Sequence, residues 1–141
     1  MTEGQNKKEQ NGILPGGACL AYLGDAVFEV LVREHLLETG ISDVGRLNEL
    51  ALSYVRATAQ SRAIEALLPY LTEEETSDYK RGRNGAGAHP KSASVVEYRR
   101  ATGLEALFGA LWLRGETARA RELFARYCAV CESPQGEDET T

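Results

Sequence analysis

Apolar residues recur at intervals of three and four along most of the chain, and this spacing predicts helices throughout. Leu20, Leu23, Val27, Val30 and Leu31 share a stripe, giving a first helix from about Gly17 to Glu38 that Gly40 stops. Asp43 can cap a second helical stretch, in which Val44, Leu47, Ala51, Tyr54 and Val55 share a face. The pattern runs on through Ala59, Ala63, Ala66 and Leu67 until Pro69 ends it, with a break expected between Ser53 and Thr58. Thr72-Glu73-Glu74-Glu75 and Ser94-Val95-Val96-Glu97 both have capping-box spacing, in which a hydroxyl and a carboxylate satisfy two orphan amides reciprocally. The first starts a short helix to about Arg83. The second starts an apolar helix through Leu104, Leu107, Phe108, Leu111 and Trp112, closed by Gly115. A last amphipathic helix spans about Thr117 to Cys131.

Asn84 to Pro90, with two glycines and a proline, reads as a loop. No segment shows a convincing strand pattern. The expected fold class is therefore all-α, with five to seven helices in one domain over residues 16–131. Residues 1–15 read as a flexible polar segment and residues 132–141 as a disordered acidic tail.

Composition narrows the function classes. No apolar run reaches about 18 residues, so no membrane span is expected. The polar start from Met1 to Gly12 lacks the apolar stretch of a signal peptide, so a cytoplasmic location is expected. Three cysteines without such a signal argue against a disulfide framework. Cys128 and Cys131 form a C-x-x-C that is either a redox pair, half of a zinc site, or two small residues near the end of the last helix. With no second pair, and with His35 and His89 far away in sequence, the last is favoured.

The net charge of −5 has the wrong sign for a generic nucleic-acid binder, but the charge is unevenly spread. Between residues 80 and 100 lie Lys80, Arg81, Arg83, Lys91, Arg99 and Arg100, against the single acid Glu97. This cluster is either a solvated face or a phosphate-binding surface.

Two acids sit inside apolar runs. Asp25 lies within Leu20-Ala21-Tyr22-Leu23-Gly24-Asp25-Ala26-Val27-Phe28, and Glu105 within Leu104-Glu105-Ala106-Leu107-Phe108-Gly109. An unpaired carboxylate in an apolar setting is costly and persists when a cation, a partner or a chemical role compensates it. Gly24, Ala26, Ala106 and Gly109 are small enough to let two helices approach and bring both acids to one point. Oxygen ligands of this kind suit a hard divalent cation such as Mg²⁺. The alternatives are a turn or cap at Gly24-Asp25, and a salt bridge from Glu105 to Arg99 or Arg100.

Leu23-Gly24-Asp25-Ala26-Val27 resembles the core of the ribonuclease III signature, and Leu104 to Ala110 resembles that family's second acidic motif. The ordered set is most similar to bacterial Mini-ribonuclease III, the compact form without an appended double-stranded-RNA-binding domain. That set is Leu20 to Glu29, Val55-Arg56-Ala57 with Gln60, Lys80 to Asn84, Pro90-Lys91, Tyr98-Arg99 and Thr102 to Gly109. The resemblance covers roughly residues 17–130.

Full-length members of the family carry four acids at the site. The two others would fall at Ala21 and Thr102 here, a reduction that Mini-ribonuclease III shares. The resemblance implies a Mg²⁺-dependent endoribonuclease, with Mn²⁺ able to substitute, that cleaves double-stranded RNA as a homodimer. Asp25 and Glu105 would be its catalytic and metal-holding residues, and RNA phosphates and water would complete the metal shell. Arg81, Arg83, Asn84, Lys91 and Arg99 would bind the RNA backbone, which positions a duplex without reading its sequence. Glu29 would either support the metal shell or pair with an arginine; Tyr98 would either orient Glu105 or pack at an interface. The implied substrate is precursor large-subunit (23S) ribosomal RNA, with a ribosomal protein on that RNA as a further partner. Two other readings stay open: a non-catalytic RNA-binding or ribosome-assembly protein on the same fold, and a helical protein-interaction module.

Overall fold

The computed structural model describes residues 14–88 and 94–133. Among these residues there are six α-helices, one 3₁₀ turn and no strand. The helices are α1 (Gly17–Leu37), α2 (Val44–Val55), α3 (Ala57–Leu67), α4 (Glu73–Asn84), α5 (Val95–Leu113) and α6 (Thr117–Glu132). Among the described residues no helix is long and apolar enough to cross a membrane.

The expected break in the second stretch falls at Arg56, whose extended backbone (ψ 146°) separates α2 from α3. Pro69 follows the end of α3 and sits inside the 3₁₀ turn Leu68–Tyr70. Gly40 and Gly115 end their helices at positive φ, 90° and 74°, where a β-carbon would be strained.

Capping differs in part from the expectation. Thr72 and Glu75 form the full reciprocal box, with bonds of 3.1 and 2.9 Å. At α5 only half a box forms: the Ser94 hydroxyl accepts from the Glu97 amide and donates to the Glu97 carboxylate, which therefore serves the hydroxyl. Asp43 occupies the N-cap position of α2, but its side chain makes no capping bond.

Helix α5 is the central element. Ala101, Gly103, Leu104 and the run from Ala106 to Leu111 are all buried, so no face of this stretch is left for solvent except around Glu105. Helices α1, α3, α4 and α6 pack around it. Phe28 is the aromatic hub, edge-on to Phe108, Phe124 and Tyr127 at 5.6, 5.6 and 4.8 Å.

Two buried carboxylates tie α4 to its neighbours. Glu75 takes two 2.8 Å bonds from Arg119 of α6, and Asp78 takes one of 2.6 Å from Arg114. Removing one partner of such a pair would strand the other charge out of water, which is strongly destabilising. At the chain's far end Glu132, expected in the tail, is the last residue of α6 and accepts the Tyr54 hydroxyl at 2.6 Å.

Candidate active site

The close helix approach expected from the small residues is present at the crossing of α1 and α5. A β-carbon on Gly24 would overlap the Glu105 carbonyl and lie 2.9 Å from the Gly109 amide. One on Gly109 would overlap the Leu20 carbonyl. Backbone therefore rests on backbone, and the side chains that flank this contact are Asp25 and Glu105. Ala21, where a further acid would stand in longer relatives of the resembled family, is buried with Leu20, Ala106 and Ala110. Thr102 is buried too, its hydroxyl donating to the Tyr98 carbonyl at 2.9 Å.

The two acids are not equally placed. Asp25 is exposed, contrary to the expectation of a costly apolar setting. The apolar residues around it turn away on the helical period: Leu20, Val27, Phe28 and Leu31 face the core, while Tyr22, Asp25 and Ala26 face out. Glu105 is the costly one. It is mostly shielded from solvent, and its carboxyl is pushed up to about 8. Burial is the largest cause; the charge of Asp25 and a hydrogen bond shared with Asp25 add to it, while the Gln60 side chain pulls the other way. At neutral pH Glu105 thus keeps its proton, and beside Asp25 it offers oxygen donors that together could hold a cation.

Gln60 is a site residue to which sequence reasoning assigned no role, although it stands in the set of residues that carries the resemblance. It is 3% exposed, on the same face of α3 as Ala63, Ile64 and Leu67. An amide on a core face needs a partner, and that was the available signal. The salt bridge considered for Glu105 does not form, since Arg100 pairs with Glu65. Glu29 pairs with Arg33 at 3.5 Å, the second of its two expected roles.

Gly82 lets α4, which carries Lys80, Arg81 and Arg83, press against Ala106 and Gly103 of α5. The basic residues are not equally available. Arg81 donates to the carbonyls of Leu14 and Pro15, at 3.2 Å each, and so holds down the entry to α1. Arg83 is half-buried, bonded to Asn84 Oδ1 at 3.3 Å and lying 5.7 Å from the centre of the Tyr79 ring. Asn84 and Arg99 are exposed, and Arg99 has no ion pair among the described residues. Lys91, with His89 and Pro90 of the expected loop, lies outside the described residues.

The arrangement offers two oxygen donors on opposed helices and a buried amide beside one of them. Its donor chemistry fits a hard divalent cation.

The ribonuclease III domain model matches residues 18–116, a span that contains Asp25, Gln60 and Glu105. The chain is 47% identical over 124 residues to Mini-ribonuclease 3 of Desulfitobacterium hafniense, covering 86% of this chain and 79% of that protein. It is 50% identical over 105 residues to Mini-ribonuclease 3 of Symbiobacterium thermophilum, covering 74% and 81%. The crystal structure of a Fusobacterium nucleatum protein superimposes with a TM-score of 0.70 at 33% identity, over 77% of this chain and 87% of that one. The chain belongs to the ribonuclease III domain family and, within it, to the Mini-ribonuclease 3 group of endoribonucleases.

Proposed function

We propose that the protein cleaves double-stranded RNA with a divalent metal, Mg²⁺ or in its place Mn²⁺, held by Asp25 and Glu105. The observation that carries this reading is the raised Glu105 carboxyl facing Asp25. Two carboxyl groups kept together at a cost, where either could have been a neutral residue, are explained by a cation that replaces the proton on Glu105. A bound divalent ion would lower the pKa of its water and stabilise charge on the scissile phosphate.

The chain's own residues have separate tasks. Asp25, on the exposed face of α1, is the accessible donor; Glu105 is the oriented one, fixed from behind by Gln60. With Ala21 and Thr102 both buried, no further carboxylate reaches the pair from these positions, so RNA oxygens and water complete the shell. Arg83, Asn84 and Arg99, with Lys91, bind the duplex backbone, while Arg81 orders the chain entering α1.

The active form is a homodimer. Tyr22, 85% exposed, Ala26 and Val30 make an apolar stripe on α1 beside Asp25, a surface that a second copy would cover. Precursor large-subunit ribosomal RNA in the cytoplasm is the proposed substrate, with a ribosomal protein on it as partner.

The test is cleavage of a long RNA duplex in Mg²⁺, run beside Asp25→Asn. Wild type should cut and the variant, equally folded, should not. Cleavage by Asp25→Asn at the wild-type rate would refute the assignment of the site. Duplex binding by wild type without turnover in either Mg²⁺ or Mn²⁺ would instead support a non-catalytic RNA-binding protein.

A further inference from the structure

The last turns of α1 and α6 carry a second cluster of chemically capable side chains. His35, Cys128 and Glu132 each place a potential ligand atom within 4.8 Å of the others. His35 lies ten residues beyond Asp25 on α1, about 15 Å along the helix axis, so this cluster is separate from the carboxylate pair. His35 is distant from Cys128 in sequence, and only the packing of α1 on α6 brings them together. Cys128 and Glu132 stand one turn apart on α6, so both project from the same face toward His35.

The cluster is held in place by its surroundings. The imidazole packs edge-on against the rings of Tyr54 and Phe124, at 5.6 and 6.2 Å. His35 Nε2 lies 2.7 Å from Glu132 Oε2, and the Tyr54 hydroxyl donates to that same oxygen at 2.6 Å. Cys128 is a free, buried thiol. All three residues line one cavity of about 310 Å³, which Glu34, Glu38 and Arg121 also border and which opens to solvent.

We propose that His35, Cys128 and Glu132 form a binding site for Zn²⁺ that clamps the end of α6 to the end of α1. The donor set selects the ion. A thiolate is a poor ligand for Mg²⁺, whereas zinc takes sulfur, imidazole nitrogen and carboxylate oxygen together. Bond lengths of about 2.0–2.3 Å put tetrahedral ligand atoms roughly 3.3–3.8 Å apart, so small side-chain shifts suffice, with the 2.7 Å His35–Glu132 contact opening and separations of up to 4.8 Å closing around the ion. Water from the cavity supplies the fourth position. On binding, the Cys128 thiol releases its proton to solvent, and thiolate plus carboxylate balance the charge of the ion. Tyr54 stays as the outer partner that orients Glu132, a role usual around metal-bound carboxylates.

The test uses the full chain, stripped with chelator and kept reduced, titrated with Co²⁺ as a spectroscopic probe and with Zn²⁺ against a chromophoric chelator. One equivalent of Co²⁺ should produce a thiolate-to-cobalt charge-transfer band that Zn²⁺ abolishes, and Zn²⁺ should raise the melting temperature. Cys128→Ser and His35→Gln should lose the band, while Cys19→Ser, Cys131→Ser and Asp25→Asn keep it. Glu132→Gln, at an exposed helix end, should fold normally in chelator and bind Zn²⁺ about tenfold or more weakly. Absence of the band in wild type, or its survival in Cys128→Ser, would overturn the proposal and leave a metal-free hydrogen-bonded clamp. No RNA enters these readouts, so their failure is distinguishable from failure of the nuclease reading.

Discussion

Gly24 and Gly109 face each other across the α1–α5 crossing so closely that a β-carbon on either would lie 3.1 Å or less from the other's amide nitrogen. Asp25 follows Gly24 and Glu105 stands one turn before Gly109. The contact of two bare backbones is thus what sets the spacing of the two carboxylates.

Gly24→Ala should therefore be destabilising and should also disable the site. Overpacking of a tight contact costs about 1–3 kcal/mol, and backbone against backbone has little room to relax. Urea unfolding should show that loss, accompanied by loss of duplex cleavage. Gly45→Ala on α2 is the matched control: only the Asp43 carboxylate lies near, at 3.8 Å or more. The same change there should be neutral or stabilise by up to about 1 kcal/mol.

Gln60→Leu should weaken the site without touching either carboxylate. Loss of its hydrogen bond leaves Glu105 unoriented and harder to ionise, since Gln60 is the group that lowers its pKa. Groups behind metal-binding carboxylates are worth about 10–100-fold in metal affinity or activity. The half-saturating Mg²⁺ concentration for cleavage should rise accordingly, with melting temperature in chelator checking that the fold persists. An unchanged Mg²⁺ dependence would leave Gln60 a core amide only.

The metal-free protein should lose stability as pH rises from about 4.5 to about 8. Glu105 ionises later in the fold, near 8, than in the unfolded chain, near 4.5. Within that window the folded state binds the extra proton, so its advantage is complete below the window and lost as pH climbs through it. Melting curves in chelator across this range should show the decline, and Asp25→Asn should lessen it by removing the neighbouring charge, while burial keeps part of it. Mg²⁺ should bind more tightly toward pH 8, because it competes with that proton.

Arg99 and Arg81 should separate under a salt titration. Removing one phosphate contact lowers the slope of log affinity against log salt by about one. Arg99→Ala should do this on any duplex, being exposed and without an ion pair among the described residues. Arg81→Ala should act mainly on stability, because its guanidinium is bonded to the Leu14 and Pro15 carbonyls.

Much of this architecture is legible in the chain. Helical periodicity places the helices within a few residues, because which face of a helix is apolar is a local property. Extended geometry at Arg56 and the full box at Thr72 are equally local, and both appear where the pattern puts them. Small residues beside two distant acids point to a close helix pair. What the apolar run misjudges is Asp25, whose neighbours in sequence are apolar but which the helical period turns to the exposed face of α1.

By itself, then, the sequence determined an all-helical chain with Asp25 and Glu105 flanked by residues small enough to let helices meet. Tertiary structure decided which acid is buried, that Gln60 backs it, that Arg81 is occupied, and that His35 meets Cys128 and Glu132. The physical reason is one of range: backbone hydrogen bonding and side-chain period act over a few residues, whereas burial, pKa and ligand sets depend on surfaces joined only when helices pack.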